Sequence, residues 1–144
     1  MNDEERRSLA EYMKIYSSEE ACEQKLYRLK WPHGFVCPKC GHERHFTTTT
    51  LRLPLYTCKK CRRQTTATVG TMLEKTRVSL PKWFLMIFLE YCDIGGVSGK
   101  QLERDLEVTY LTVRCMKRKL KAEMKSGDSE FLGAIVRMDE EDFD

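Results

Sequence analysis

Apolar residues recur at helical intervals over residues 1–34. In the second half of this segment they form one stripe at i, i+4 and i+7, and this period is typical of an amphipathic helix. The stripe consists of Cys22, Leu26 and Leu29. We predict one helix over about residues 6–16. A second should begin at Ser17, where a capping-box pattern starts, and end before Pro32.

The helical period disappears between residues 35 and 73. The stretches HFTTTTLRL and QTTATVGT are rich in β-branched residues, a composition typical of short strands. Two Cys-x-x-Cys pairs lie in the same segment, with 17 residues between them. We predict a small β-unit built around these cysteines.

A helical period returns over residues 78–127. The string SLPKWFLMIFLEYC is apolar on nearly every side, which predicts a helix buried at the centre of the fold. Cys92 in this string and Cys22 on the earlier stripe are therefore predicted to fill the core. A short helix with Leu102 and Leu106 on its inner face should follow. After a turn, Thr109 can cap a longer helix that runs to about Lys125.

The four paired cysteines predict a metal site. Zinc takes four ligands in a tetrahedron, and two tight Cys-x-x-Cys turns joined by a hairpin can supply all of them. The predicted ligands are Cys37, Cys40, Cys58 and Cys61. Gly41 follows the first pair, where such a turn often needs a positive φ. Two redox-active dithiols are the alternative, although the βαβ pattern that accompanies them is missing. The nearby histidines, His33, His42 and His45, are expected to be surface residues rather than ligands.

These segments together predict a small α+β protein in four parts. The parts are N-terminal helices over 1–34, a four-cysteine zinc ribbon with short antiparallel β-hairpins over 35–73, a helix-turn-helix bundle over 78–127, and an acidic tail over 128–144. The zinc ion is expected to be single and structural, because four thiolates leave no open coordination position for catalysis.

Charge divides the chain into a basic middle and acidic ends. Residues 25–126 hold 21 Lys and Arg against 8 Asp and Glu, a balance of +13, whereas the two ends together carry a balance of −10. A basic body favours polyanionic partners, chiefly nucleic acid. A highly charged surface without such a partner is the alternative.

The segment from 98 to 125 has the outline of a helix-turn-helix: a short helix, a three-residue turn and a longer helix. On a helical wheel, Val113, Met116, Leu120 and Met124 share one face. If the second helix enters the major groove of DNA, its first turn should contact base edges through Thr109, Tyr110, Thr112 and Arg114. The DNA phosphates should be contacted by Arg118, Lys121 and Lys125, and the DNA backbone also by Arg62 and Arg63. An ordinary amphipathic helix pair with a solvated lysine face is the alternative, and Glu107 occupies a turn position where glycine is favoured.

Membrane and secreted proteins are not indicated. The longest apolar run, WFLMIFLEYC, is half the roughly 20 residues that a bilayer requires. The charged N-terminal string MNDEERRSLAEYMK has no apolar signal core. We expect a cytoplasmic protein, associated with the nucleoid in a bacterium, or a nuclear one in a eukaryote.

Three strings carry a resemblance to a known family: WPHGFVCPKCG, YTCKKCRRQTTATVGTMLEKTRVSLPKWF and SGKQLERDLEVTYLTVRCMKRKLKAEM. In order and spacing they resemble the N-terminal part of zinc-ribbon insertion-sequence transposases, the group related to Merlin elements, and the resemblance covers roughly residues 10–139. It implies a zinc ribbon and helix-turn-helix that bind the double-stranded DNA of transposon ends. A second copy of the chain and a full-length transposase are further candidate partners.

In the resembled family a ribonuclease-H-like catalytic domain follows, with acidic residues that hold two metal ions. The string AIVRMDEEDFD looks like its first strand and places Asp139 at the first catalytic aspartate. Two-metal chemistry needs several converging carboxylates, so we expect this chain by itself not to be an enzyme. A zinc-ribbon module for protein interaction or transcriptional regulation, and one part of a split transposase, are the alternatives.

Overall fold

The computed structural model describes residues 3–92, 99–126 and 129–138. Its elements are helices α1 (Asp3–Ile15) and α2 (Glu19–Lys30), strands β1 (His45–Thr48), β2 (Leu55–Cys58) and β3 (Gln64–Thr65), and helices α3 (Leu80–Tyr91), α4 (Gly99–Leu106), α5 (Tyr110–Lys125) and α6 (Ser129–Val136). The predicted small α+β fold is confirmed.

Helix α2 begins one residue later than its capping box predicted. The hydroxyl oxygen of Ser18, not that of Ser17, accepts the hydrogen bond from Ala21 N–H, at 3.1 Å. The Ser17 hydroxyl instead donates to the Lys14 carbonyl at the end of α1, at 3.4 Å. The helix ends at Lys30, as the following Trp-Pro pair predicted.

The three strands form one antiparallel sheet in the order β1-β2-β3. Phe46 on β1 lies opposite Thr57 on β2, so the cysteine pairs are joined by the predicted hairpin. Alternate β2 residues, Tyr56 and Cys58, are buried, and with Trp31 and Phe35 they form a small core separate from the helical one.

Helix α3 is the centre of the helical core, as its all-round apolar surface predicted. Its side chains from Trp83 to Leu89 are all buried, and it packs on α1, α2, α5 and α6. Cys92 follows the helix and is exposed, so the prediction that it fills the core is wrong. The predicted core position of Cys22 is confirmed, since its side chain is fully buried.

The prediction of a strand near the C-terminus is wrong, because this segment forms helix α6. Within the segment 128–144, residues Ser129–Val136 are helical, and the fully buried Leu132 and Ile135 pack in the core with α3. Apolar residues at helical spacing allow this packing, which overrides the strand propensity of the AIV string. Asp139, the proposed match to a catalytic aspartate, lies outside the described residues.

Buried groups of the N-terminal helices hold the end of α6 in place. The Tyr12 hydroxyl donates to the Ile135 carbonyl at 2.9 Å. The Tyr16 hydroxyl donates to the Arg137 carbonyl at 3.4 Å, and the buried ammonium of Lys25 donates to the same carbonyl. Carbonyls at a helix C-terminus have no partner within the helix, so these contacts cap it. The parts predicted over 1–34 and 78–127 therefore share one core with α6.

The turn between α4 and α5 contains a strained residue. Glu107 has a φ of 55°, in the left-handed region that the sequence suggested would suit glycine. We expect Glu107→Gly to raise the free energy of unfolding by about 0.5–1 kcal/mol, because glycine enters this region without the clash of a Cβ. Urea denaturation measures the change. Glu103→Gly, inside α4, is the matched control and should lower stability by about 1 kcal/mol; a destabilised Glu107→Gly variant would contradict the assigned backbone strain.

Candidate metal centre and nucleic-acid interface

The two Cys-x-x-Cys pairs form turns of the same geometry. Gly41 N–H donates to the Cys37 carbonyl at 3.0 Å, and Arg62 N–H donates to the Cys58 carbonyl at 3.1 Å. The residue after each pair has a positive φ, 78° at Gly41 and 66° at Arg62. The prediction for Gly41 is confirmed, and the second turn imposes the same conformation on an arginine.

The four cysteine sulfurs converge on one point. All four lie within 4.8 Å of one another. Cys37 Sγ is 3.5 Å from Cys61 Sγ, and Cys40 Sγ is 3.5 Å from Cys58 Sγ. A zinc ion with sulfur ligands at about 2.3 Å sets its sulfurs about 3.8 Å apart, so this thiol set fits tetrahedral zinc. In the part of the chain that the structure describes, no histidine joins this cluster.

Backbone N–H groups lower the pKa of two of the thiols, Cys37 and Cys58, and so favour the thiolate form that binds a cation. Burial by itself raises the pKa of the Cys37 thiol, but the N–H groups of Cys40 and Lys39, 3.5 and 3.4 Å from its sulfur, lower the pKa to about 6. For Cys58, too, burial is outweighed by the N–H groups that follow it, and the pKa is lowered. The pKa of Cys40 is raised to about 11, because burial and the neighbouring thiols outweigh the lowering effect of its contact with the His42 backbone. Thiolates are the zinc-binding form of cysteine.

Comparison with known families agrees with this site. Residues 17–64 match the family described as a transposase zinc-ribbon domain, of the IS1595 type. The chain contains a transposase zinc ribbon. This confirms the predicted resemblance to zinc-ribbon insertion-sequence transposases, and the matched range includes helix α2 as well as strands β1 and β2.

A relative supports the same family. The chain is 33% identical over 112 residues to a protein from Halobacterium salinarum named "Uncharacterized protein in transposable element ISH50". The similarity covers 76% of this chain and 37% of that protein, so the chain spans little more than a third of its relative. No solved structure matches the chain.

The transposase zinc ribbon is joined to α2 by a buried hydrogen bond. The Tyr56 hydroxyl on β2 donates to Glu23 Oε1 at 2.5 Å. Burial raises the pKa of the Glu23 carboxyl, although the Tyr56 hydrogen bond opposes the shift. Because the folded state binds this proton more tightly than the unfolded state, the ionised carboxylate weakens the fold as pH rises.

We expect Glu23→Gln to flatten the pH dependence of stability. In the native chain the free energy of unfolding should fall as pH rises from 4.5, the ordinary pKa of the carboxyl, through its raised folded value. Glutamine keeps an acceptor for Tyr56 without the charge, so the variant should be the more stable protein at neutral pH. Urea denaturation of the zinc-loaded proteins at several pH values measures this. Glu11→Gln, at an exposed position on α1, should leave the native profile unchanged; a parallel profile for Glu23→Gln would contradict the assignment.

Helix α5 presents one buried and one exposed face. Val113, Met116 and Leu120 are buried, as the helical wheel predicted. Met124 is 40% exposed, contrary to the prediction, because the last turn of α5 is uncovered on every side except at Glu123. Arg114, predicted to contact a base edge, is exposed, and so are the predicted phosphate contacts Arg118, Lys121 and Lys125.

The first turn of α5 has both structural and exposed polar groups. Thr109 Oγ1 accepts the hydrogen bond from Thr112 N–H at 3.2 Å, so the predicted cap is confirmed. The two threonine hydroxyls also contact each other at 2.9 Å, which gives both a structural role. Tyr110 is 47% exposed.

Leu111 is an exposed residue that the sequence interpretation missed. Its side chain is 69% exposed, and it lies three and seven residues before Arg114 and Arg118, on the outward side of the helix. The predicted base contacts in this turn were all polar residues, although the helical wheel places Leu111 directly opposite the buried face. The predicted ribbon contacts Arg62 and Arg63 are exposed as well. Among the described residues no helix is long and apolar enough to cross a membrane.

Proposed function

We propose that this chain is a zinc-dependent DNA-binding protein that recognises the ends of an insertion sequence, with α4 and α5 as a helix-turn-helix and α5 as the helix that enters the major groove. The observation that carries the proposal is the exposed basic face of α5, which neighbours its buried face. Phosphate contacts from this face would position the helix, and residues of its first turn would contact base edges.

The outward side of α5 suits close approach to a groove. Leu111, Cys115 and Ala122 are exposed there between the basic residues, and none of them is bulkier than leucine. Arg114 can hold guanine with two hydrogen bonds. Leu111 can contact the methyl group of thymine, the apolar feature of the major-groove edge.

In this proposal a single zinc ion has a structural role. The four thiols would complete its coordination and leave no open position for a reacting group. The chain would then bind DNA rather than cut it, and cleavage would depend on carboxylates outside the described residues. Arg62 and Arg63 would add contacts to the DNA backbone from the ribbon.

Two cysteines allow a direct test of the α5 interface. Cys115 lies on the outward side of α5, and Cys92 is exposed beyond the end of α3. The zinc-loaded protein is first used to select a duplex from a random pool, and both thiols are then alkylated with and without that duplex. We expect the duplex to slow alkylation of Cys115 at least about tenfold and to leave Cys92 unchanged.

Two results would count against the proposal. Failure to select or retain any duplex at moderate salt would leave the zinc ribbon as a protein-interaction module. Retention of the duplex without protection of Cys115 would move the DNA interface away from α5.

A further inference from the structure

Strand β1 places an aromatic ring on the outer face of the zinc-ribbon sheet. The β2 side chains Tyr56 and Cys58 face the small core, and Phe46 pairs with Thr57, which lies between them in sequence. Phe46 therefore points to the opposite face, where its side chain is 48% exposed. An exposed aromatic ring on a sheet fixed by four metal-binding thiols is a rigid, flat surface.

Two cations from the second cysteine turn adjoin this ring. Lys59 Nζ lies 5.0 Å from the ring centroid, and the Arg62 guanidinium carbon lies 5.5 Å from it. Both side chains are exposed. Because they are long and reach the ring from solvent, either can move off the ring face and keep its charge nearby.

This combination matches the chemistry of a nucleotide. A nucleotide carries a flat π-face and a phosphate anion in one residue, and aromatic rings beside Lys or Arg are how proteins hold single strands without reading sequence. In a continuous duplex both faces of each base are covered by its neighbours. The ring can therefore stack only on a base that is unpaired or at a strand end.

We propose that Phe46, Lys59 and Arg62 form a binding site for an unpaired nucleotide of DNA, with the base stacked on the Phe46 ring and the phosphate beside the two cations. The site rests on the proposed function, because it would act on DNA that the chain already holds as a duplex. It adds a second activity to that function: preference for DNA with an opened or frayed end over a blunt duplex.

The test compares two DNA probes and three variants of the zinc-loaded full chain. The probes are a blunt duplex and the same duplex with a short single-stranded thymidine tail, and affinity is measured by fluorescence anisotropy. We expect the tail to tighten binding about tenfold in the native chain. Phe46→Ala should lose this gain, and Phe46→Trp should keep it. Leu51→Ala is the matched control, since Leu51 is 59% exposed on the ribbon, and it should behave like the native chain.

Fluorescence supplies a second readout. The native tryptophans, Trp31 and Trp83, are buried. The indole introduced by Phe46→Trp should therefore be the one quenched on adding the tailed duplex. The blunt duplex should quench it less, because only the outer faces of its two terminal base pairs are open to stacking.

Several outcomes separate this site from the proposed function. The nucleotide site is overturned if the native chain binds both probes with equal affinity, or if Phe46→Ala gains as much affinity from the tail as the native chain does. In either case, binding of the blunt duplex leaves the α5 interface standing. If the blunt duplex does not bind at all, the proposed function fails, and binding of the thymidine oligomer alone then decides the site. A dimer in sedimentation that Phe46→Ala dissociates would assign the ring to a second copy of the chain and overturn the site.

Discussion

Replacing Cys58 with serine is expected to unfold the zinc ribbon and to leave the helical core folded. Cys58 is fully buried, and its sulfur is one of the four that converge. The ribbon has a core of only a few buried side chains, among them Trp31, Phe35 and Tyr56. A unit this small depends on its metal, and binding of a structural zinc ion contributes about 10 kcal/mol or more to folding.

The two tryptophans allow the two cores to be followed separately. Trp31 belongs to the ribbon core and Trp83 to the helical core. In a Trp83→Phe background, Cys58→Ser should release bound zinc and shift Trp31 emission to that of an exposed indole. Far-UV circular dichroism should retain most of its helical signal. A strong chelator should produce the same changes in the native protein.

Cys92→Ser is the matched control for this experiment. It removes an exposed thiol that lies outside the cluster, so zinc content and Trp31 emission should both stay native. A Cys58→Ser variant that binds zinc with full stoichiometry, or whose Trp31 remains buried after metal removal, would contradict the assigned role of the metal.

Neutralising four exposed cations of α5 is expected to abolish most DNA binding. The variant carries alanine at Arg114, Arg118, Lys121 and Lys125. Each cation that neutralises a phosphate releases counterions, so loss of the three predicted phosphate contacts should make the slope of log K against log salt shallower by about 3. Affinity at moderate salt should fall on the order of a thousandfold. Filter binding or anisotropy over a salt series measures both quantities.

The control removes charge from a different surface. Arg7→Ala with Lys14→Ala takes two exposed cations from α1, and this variant should retain the native affinity and nearly the native salt slope. If each removed charge lowered the affinity for DNA equally in both variants, binding would depend on net charge alone, and α5 would not be a defined DNA interface.

A single substitution at Arg114 tests whether this residue recognises a base or binds a phosphate. Arg114→Ala should weaken binding to the selected duplex by about 1–3 kcal/mol and reduce discrimination at one base pair. A uniform loss on every sequence would make Arg114 a phosphate contact instead.

The zinc ribbon could be predicted closely because its constraints are local. The four ligands and the positive φ of Gly41 follow from the geometry of a tight turn, and the hairpin follows from the distance between the two pairs. The cap at Thr109 and the buried face of α5 were likewise determined by short-range spacing.

The errors arose where distant contacts decide the outcome. The AIV string has strand propensity, but α3 and the buried Tyr12, Tyr16 and Lys25 stabilise a helix there. No local pattern in α6 indicates these partners, which lie more than 110 residues earlier in the chain. Met124 and Cys92 were predicted to be buried but are exposed, for a related reason. A helical period shows which way a side chain points, but it does not show whether another element packs over that side chain.

The contact between Tyr12 and Ile135, 123 residues apart in sequence, can form only late in synthesis, after both residues have been made. The ribbon within residues 17–64 has all four ligands as soon as Cys61 leaves the ribosome, and zinc can close it at that point. The helical core cannot be completed until α6 has been made, because α2, α3 and α5 pack against it. A nascent chain halted between these two points would hold its metal while part of its apolar surface stayed open to chaperones.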